Sequence, residues 1–343
     1  MNQEWTTFLA AQGLTADNAE QFAHSGQLDT ELQAARNEAV VAPLIDLGLI
    51  RASGEDAASF LHNLVTNDIQ GLAADSARTA GFCTAKGRLL AIFLIWREGN
   101  DYLLLLPREI LPPLLKKLSM YILRAKVKLT DATDERVLIG IFVPSAVSPA
   151  PTFLDAALLR QSVSATDGGQ LIRLDDTRWL LSLEPSVAIR RWPEITATAK
   201  PVGLAAWHWL EIAAGQPRVV AATQEAFVPQ MLNLDLPAVA GVSFTKGCYP
   251  GQEIVARTHY LGKVKRRMVR ASLNNPATPG AHVYAPETGD QQCGALVSIA
   301  PSPAGGFECL VSVQSSAVAA GEVHLGAPDG DRLTFLPLPY PID

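Results

Sequence analysis

The sequence predicts an α+β protein that ends in a small β-barrel. Strand-like and helix-like segments alternate up to about residue 254, in an order typical of antiparallel α+β folds. From Arg267 onward the chain contains only short β-like runs, separated by turns that contain Pro and Gly. With 343 residues the chain is long enough for about two domains and for a well-buried core.

The first α+β half, residues 1–136, opens with amphipathic stretches around Trp5–Gln12 and Ala16–Ala23. An apolar strand is expected at Leu44–Arg51. A helix should follow from a cap at Ser53, because apolar residues then recur at helical spacing. The other predicted elements of this half are strands at Thr79–Thr84, Arg88–Trp96, Asp101–Leu106 and Val127–Thr130, and a helix near Leu114–Leu123.

The second half, residues 137–254, shows a similar set of predicted strands and helices. Its last helix should end at Gly215, since Pro217 follows just beyond. Its predicted strands are Val137–Val143, Gln170–Leu174 and Trp179–Leu183, and its predicted helices are Ser186–Trp192 and Leu204–Ala214. Because the two parts look alike, we expect two ferredoxin-like, antiparallel α+β halves.

The C-terminal part, residues 255–343, is the predicted β-barrel. Short strands at regular spacing are typical of small barrels and sandwiches. The six predicted runs are Met268–Leu273, His282–Tyr284, Ala295–Ile299, Cys309–Val313, Val323–Leu325 and Leu333–Leu336.

Composition and charge exclude several classes of protein. The net charge is −6 and charged residues are only 18% of the chain, which argues against a disordered protein and against a basic nucleic-acid coat protein. The longest apolar run, Leu89–Trp96, is too short to span a bilayer. The N-terminal residues show neither a secretory nor an organellar signal. We therefore expect a cytoplasmic protein without a membrane partner.

The segment with the most chemical character is Lys246–Glu253, with the sequence KGCYPGQE. It places Cys248 between two glycines, two residues from Lys246 and just before a helix-like run. A positive charge and a helix N-terminus favour the thiolate, which is the nucleophilic form. Cys248 and Lys246 are thus the catalytic candidates, although a buried structural cysteine is the alternative. His259 is only a remote candidate for a base, and the spacing of the four cysteines indicates no metal site.

A second feature is a run of basic residues. Residues 254–270 carry six Lys or Arg and no acidic residue, so this segment contributes +6 in an acidic chain. It could attract an anion such as a folate polyglutamate tail or an RNA backbone. A solvated edge strand is the alternative. Lys86 and Arg88, in the predicted hairpin, would strengthen the anion interpretation if they face the same hollow.

The segment Lys246–Glu253 resembles the signature of the YgfZ family of folate-binding proteins, Lys-Gly-Cys-aromatic-x-Gly-Gln-Glu. Four further segments resemble family motifs: Leu64–Asp68, Ala85–Arg88, Ala214–Pro217 and Val228–Leu234. The resemblance implies an aminomethyltransferase-like fold, with a tetrahydrofolate site in a central hollow. It also implies support of iron–sulfur cluster assembly or repair and, through it, of tRNA modification, so that iron–sulfur proteins or assembly factors become expected partners.

On this resemblance, Cys248 would act as a thiolate tuned by Lys246. The expected folate-binding residues are Gln230, Asn233, Gln252, Glu253, Lys86 and Arg88. The amides of Gln230 and Asn233 could bind a pterin edge, or could cap their own loop. Two alternative functions stay open. One is a folate-dependent aminomethyltransferase or demethylase, for which hairpin 85–88 lacks the carboxylate of the related T-protein. The other is a tRNA-binding module that uses residues 257–270.

Overall fold

The computed structural model describes residues 2–14, 28–146, 151, 153–154, 157–260 and 264–342. The predicted stretch Ala16–Ala23 lies outside them. The helices in the described part are α1 Gln3–Ala11, α2 Leu28–Asn37, α3 Ala57–His62, α4 Leu111–Ser119, α5 Pro185–Thr196, α6 Leu204–Ala213, α7 Gln252–Tyr260 and α8 Ser315–Ala320.

The strands of the described part fall into three sheets. In chain order they are β1 Val40–Pro43, β2 Leu47–Ser53, β3 Ala77–Cys83, β4 Leu89–Glu98, β5 Asp101–Pro107, β6 Lys128–Asp131, β7 Val137–Phe142, β8 Val163–Thr166, β9 Gly169–Arg173, β10 Arg178–Leu183, β11 Lys200–Pro201, β12 Arg266–Leu273, β13 His282–Tyr284, β14 Gln292–Pro301, β15 Phe307–Gln314, β16 His324–Leu325, β17 Asp331–Arg332 and β18 Thr334–Leu336.

The first sheet has the order β3-β4-β5-β2-β6 and is antiparallel throughout. Helices α3 and α4 cover it with apolar side chains such as Leu61 and Leu114. The predicted cap at Ser53 is wrong. Ser53 ends β2, and α3 begins four residues later with Asp56 as its N-cap. The Asp56 carboxylate instead accepts a hydrogen bond from the Lys126 amide, and so anchors the far edge of the sheet.

The second sheet has the order β11-β1-β7-β10-β9-β8. Its pairs are antiparallel except for β1 and β11, which run parallel. Strand β1 lies in the predicted first half but pairs in the sheet of the second half. Helix α1 joins it there, since Trp5 packs edge-on against Trp192 of α5 at a centroid distance of 5.5 Å. The division into parts at residues 136 and 254 stays a prediction.

The third sheet is the predicted C-terminal barrel, and it is nearly closed. Seven antiparallel strands follow the order β17-β16-β13-β14-β15-β12-β18. All six predicted runs overlap a strand, and the short β17 is the seventh. Helix α6 packs against β14 and β15, and so connects the barrel to the second sheet. The predicted fold class, α+β with a small C-terminal barrel, is confirmed.

Candidate functional site

The segment Lys246–Glu253 forms a turn that leads into α7, and the turn of the β3–β4 hairpin lies directly against it. Gly251 has φ +81° and Gly87 has φ +69°, both in the left-handed region that favours glycine. A Cβ atom on Gly251 would lie 2.5 Å from the Thr84 carbonyl oxygen and 2.6 Å from the Gly87 Cα. Only two glycines allow so close an approach. The structure therefore brings the hairpin and the cysteine turn together.

Lys246 clamps this turn to the end of α3. Its ammonium group donates to the carbonyl oxygens of His62 and Val65, the latter at 2.7 Å. It also lies over the Tyr249 ring, 4.7 Å from the centroid. Burial lowers the pKa of Lys246 to about 8, although the nearby Asp68 and Cys248 act to raise it. Lys246 thus fixes the backbone on one side of Cys248.

Cys248 differs from the other three cysteines in its exposure. Cys248 is exposed, whereas Cys83, Cys293 and Cys309 are buried and all four are free thiols. Burial raises the pKa of Cys83 and of Cys309 to about 12. These buried thiols stay protonated and inaccessible at neutral pH. A thiol reagent should therefore meet Cys248 first.

A histidine and an aspartate complete the surroundings of the turn. The Nδ1 atom of His62 lies 2.9 Å from the Asp68 carboxylate. Although partial burial acts to raise it, the pKa of Asp68 is held below its ordinary value by the Gly71 amide and by His62. Asp68 belongs to the segment Leu64–Asp68, which resembles a family motif. The sequence did not predict that Asp68 or His62 would lie near Cys248. His259 instead stacks on Phe244 at 3.7 Å.

Gln230 and Asn233 are fully buried, and their amides bind the backbone of neighbouring elements. The side-chain amide nitrogen of Gln230 donates to the Val255 carbonyl oxygen of α7 at 2.7 Å. The side-chain Oε1 atom of Gln230 has no partner in the described part of the chain. Asn233 has φ 58° and bonds both the amide and the carbonyl of Met268 in β12. Asn233 therefore docks the barrel, and its predicted part in folate binding stays a prediction.

The other predicted site residues lie around the turn, and among the described residues they do not line one common cavity. Lys86 and Glu253 are exposed, and Gln252 is half-buried at the start of α7. The Arg88 guanidinium donates to the Ala226 carbonyl oxygen at 2.7 Å. None of the predicted site residues is among those that line the central hollow described next.

A hollow lies where the three sheets meet. It has two compartments of about 100 and 560 Å³, which share Pro107, Glu211, Gln216 and Arg218 in their walls. Apolar side chains of the first two sheets, such as Leu105 and Leu180, line one compartment. The barrel closes the other with residues 297–299 of β14. The larger compartment has the size of a pocket for a drug-sized ligand, and the smaller one extends it.

Four charged or ionisable side chains form a network in this hollow. Arg218 contacts Asp46 at 2.5 Å and Glu211 at 3.1 Å, and His208 lies 3.0 Å from Asp46. Burial alone would raise the pKa of Asp46, but the Arg218 guanidinium and the His208 ring outweigh it and hold the pKa well below its usual range. One Asp46 oxygen and the Trp207 Nε1 atom are buried without a partner in the described part.

Most of this network escaped the sequence-based prediction. Glu211 and Arg218 flank the segment Ala214–Pro217, which resembles a family motif. That motif was the signal that could have identified them. Asp46 carried no signal, because it stands in an apolar region of the chain. Glu211 lines both compartments of the hollow.

The basic segment 254–270 is less free than its sequence suggests. Arg267 forms a buried ion pair with Asp235 at 2.6 Å, and Arg270 pairs with Glu308. Arg257 is exposed on α7, next to the exposed Tyr260, which contacts Phe244 and His259. The anion-binding interpretation therefore depends on the first part of the segment.

Two negative findings apply to the described residues. They contain no group of three or more His, Cys, Asp or Glu side chains arranged to hold a metal ion. No helix among them is both long and apolar enough to cross a membrane.

Comparison with known proteins identifies one matching domain family and several similar proteins. The GCVT N-terminal domain family matches residues 8–162. A tRNA-modifying protein YgfZ from Vibrio atlanticus is 33% identical over 234 residues, which cover 67% of this chain and 69% of the relative. The protein of the same name from Vibrio vulnificus strain YJ016 is 33% identical over 243 residues, covering 70% and 72%.

A solved structure shares the fold. The glycine cleavage system aminomethyltransferase T from Bartonella henselae superposes with a TM-score of 0.70, over 90% of this chain and 87% of that one. The two sequences are only 18% identical, so this likeness is one of fold.

Proposed function

The chain belongs to the YgfZ family, and from this premise we propose that it binds tetrahydrofolate in the central hollow and supports iron–sulfur cluster assembly or repair. Modification of tRNA would then depend on it indirectly, because the enzymes that thiolate tRNA use such clusters. We place this role in the cytoplasm, where tRNA is modified. The observation that carries the proposal is the hollow between the three sheets, with its apolar walls and its polar atoms that have no partner among the described residues.

The lining of the hollow fits a folate. A pterin ring presents adjacent donors and acceptors, which suit a carboxylate and an N–H donor. The Glu211 carboxylate, the unpaired Asp46 oxygen and the Trp207 Nε1 atom are such groups. Arg160 lines the same hollow and is exposed, and so suits the glutamate carboxylates of the ligand. When bound, tetrahydrofolate would supply one-carbon chemistry.

We expect tetrahydrofolate to bind the purified protein under reducing conditions, and Trp207→Phe to weaken binding. The variant removes a donor that has no partner in the described protein, and because the Trp207 ring is buried against Gly140, urea unfolding checks that the variant is folded. One lost hydrogen bond should weaken the affinity roughly three- to tenfold. Isothermal titration calorimetry measures both proteins.

Trp179→Phe is the matched control. The Trp179 Nε1 atom is also buried without a partner among the described residues, but Trp179 packs in the core on the other face of the second sheet. Its variant should bind like the unmodified protein. Absence of any tetrahydrofolate binding would refute the folate part of the proposal. Equal weakening by both variants would move the ligand out of the central hollow.

The thiol of Cys248 is proposed to act in the support of iron–sulfur proteins. In a strain that lacks its own YgfZ, the unmodified protein should restore the activity of iron–sulfur enzymes, and Cys248→Ala should not. Cys293→Ala is the control, because that thiol is buried in the barrel and the change removes a single atom. Full restoration by Cys248→Ala would rule out this role for the thiol.

Two further functions have weaker support. Aminomethyl transfer would need an acid or base near the hairpin, and residues 85–88 bring Lys86 and Arg88 but no carboxylate. Binding of tRNA through residues 257–270 is supported by the exposed Arg257 and Tyr260, since bases stack on aromatic rings. The ion pairs of Arg267 and Arg270 remove two cations from that surface.

A further inference from the structure

The imidazole ring of His62 has a defined orientation. His62 is the last residue of α3, and its side chain is only 12% exposed. Its Nδ1 atom lies 2.9 Å from the Asp68 carboxylate. A carboxylate only accepts hydrogen bonds, so Nδ1 is the protonated nitrogen of the neutral ring. The Nε2 atom is then left with a free lone pair.

This second nitrogen faces the cysteine turn. A Cβ atom on Gly247 would lie 3.9 Å from His62 Nε2, and no other heavy atom of the described residues, its chain neighbours apart, would lie within 4 Å of it. Gly247 directly precedes Cys248, whose side chain is exposed. The Lys246 ammonium group donates to the carbonyl oxygen of His62 itself. The backbone and the ring of His62 are therefore both fixed beside the residue that precedes the thiol.

We propose that His62 is the general base that accepts the proton of the Cys248 thiol, with Asp68 as the positioning residue that holds the ring in place. Sγ and Nε2 form no hydrogen bond in the described structure, so the exposed thiol reaches the ring by turning towards it or through one water molecule. The proton then moves from Sγ to Nε2 and leaves a thiolate and an imidazolium, so no further reactant is needed. The Asp68 carboxylate stabilises the imidazolium through Nδ1. The glycine at position 247 keeps the space between the ring and the turn free of side-chain atoms.

Other charged groups around the ring shape its pH dependence. Lys246 lies on the turn and Asp68 on the loop after α3, and Arg78 of β3 acts on Asp68 in turn. The positive charge of Lys246 favours the thiolate and opposes the imidazolium. The repulsion between Lys246 and the imidazolium weakens as the pH rises through about 8, where Lys246 loses its proton.

Alkylation by iodoacetamide tests the inference without folate or client proteins. It rests on Cys248 as the working thiol of the proposed function, but the rate of alkylation reports only on the thiolate. We expect His62→Gln to slow alkylation at pH 7 roughly tenfold, because the reactive form would lose its proton acceptor. The variant should need a higher pH than the unmodified protein to reach the same rate of alkylation. Asp68→Asn should shift the pH profile in the same direction.

His259→Gln is the matched control, because this histidine lies on α7, after the same turn, and stacks on Phe244 instead. It should keep the unmodified pH profile. Cys248→Ala gives the background from the buried thiols, and urea unfolding shows whether each variant is folded. An unchanged pH profile in folded His62→Gln, or a shift in His259→Gln alone, would overturn the inference even if folate binds as proposed.

Discussion

Replacement of Arg218 by Met should destabilise the protein by about 3–5 kcal/mol, the usual cost of leaving buried charges unpaired. The Arg218 side chain is only 13% exposed and neutralises both Asp46 and Glu211. Met fills a similar volume but removes the positive charge between two carboxylates. Urea unfolding at neutral pH measures the change in the free energy of unfolding.

The pH dependence of this loss has a defined sign. In the unmodified protein the pKa of Asp46 is depressed, so its stabilising effect is present at neutral pH and is lost only as the pH falls below about 4. In Arg218→Met the two carboxylates face each other and take up a proton more readily. The variant should therefore regain part of its lost stability between about pH 7 and pH 5.

Arg190→Met is the matched control for this change. Arg190 contacts Asp167 at the same distance of 2.5 Å, but the two side chains are 60% and 70% exposed. Exposed ion pairs contribute ~0–1 kcal/mol. Equal destabilisation by the two variants would show that the network in the hollow has no special energetic role.

Replacement of Gly251 by Ala should cost about 2–4 kcal/mol and separate the hairpin from the cysteine turn. The new methyl group would lie 2.5 Å from the Thr84 carbonyl oxygen, and Ala rarely adopts φ +81°. Neither the backbone of the hairpin nor that of the turn can yield without breaking the contact. Urea unfolding gives the energetic cost, and hydrogen exchange at Lys86 and Gly87 shows whether the hairpin has moved.

Gly99→Ala isolates the conformational part of this effect. Gly99 also has positive φ, at +61°, but a Cβ atom there would meet nothing within 4 Å. Its variant should lose about 1 kcal/mol from backbone strain alone. If Gly251→Ala cost no more than Gly99→Ala, the close contact between hairpin and turn would be refuted.

Local patterns were sufficient to predict most of the fold. The hairpin with its turn at Ala85–Gly87 and the runs of the barrel follow from alternation and turn residues, and the structure contains both. The wrong cap at Ser53 shows the limit of such patterns. A serine three residues before an acidic residue satisfies the capping rule, but the pairing of Ser53 with Lys128 keeps it in β2.

The candidate site was predictable only in part, because its members meet through tertiary structure. Asp46 and Arg218 are 172 residues apart, and no spacing rule connects them. Asn233 has a left-handed backbone and its side-chain amide bonds Met268 of the barrel, a contact across 35 positions that no local pattern indicates. His62 carried no motif of its own, and only the packing of α3 against the turn places it near Cys248.

The contact between Gly87 and Gly251 also constrains the order of folding. These residues are separated by 251 − 87 = 164 positions, so a nascent chain completes the β3–β4 hairpin long before the cysteine turn leaves the ribosome. Closing so long a loop carries an entropic cost that local elements do not. The surroundings of Cys248 therefore cannot form until the cysteine turn has been made and this long loop has closed. Until then the segment around Cys248 lacks its contacts with the β3–β4 hairpin and with α3.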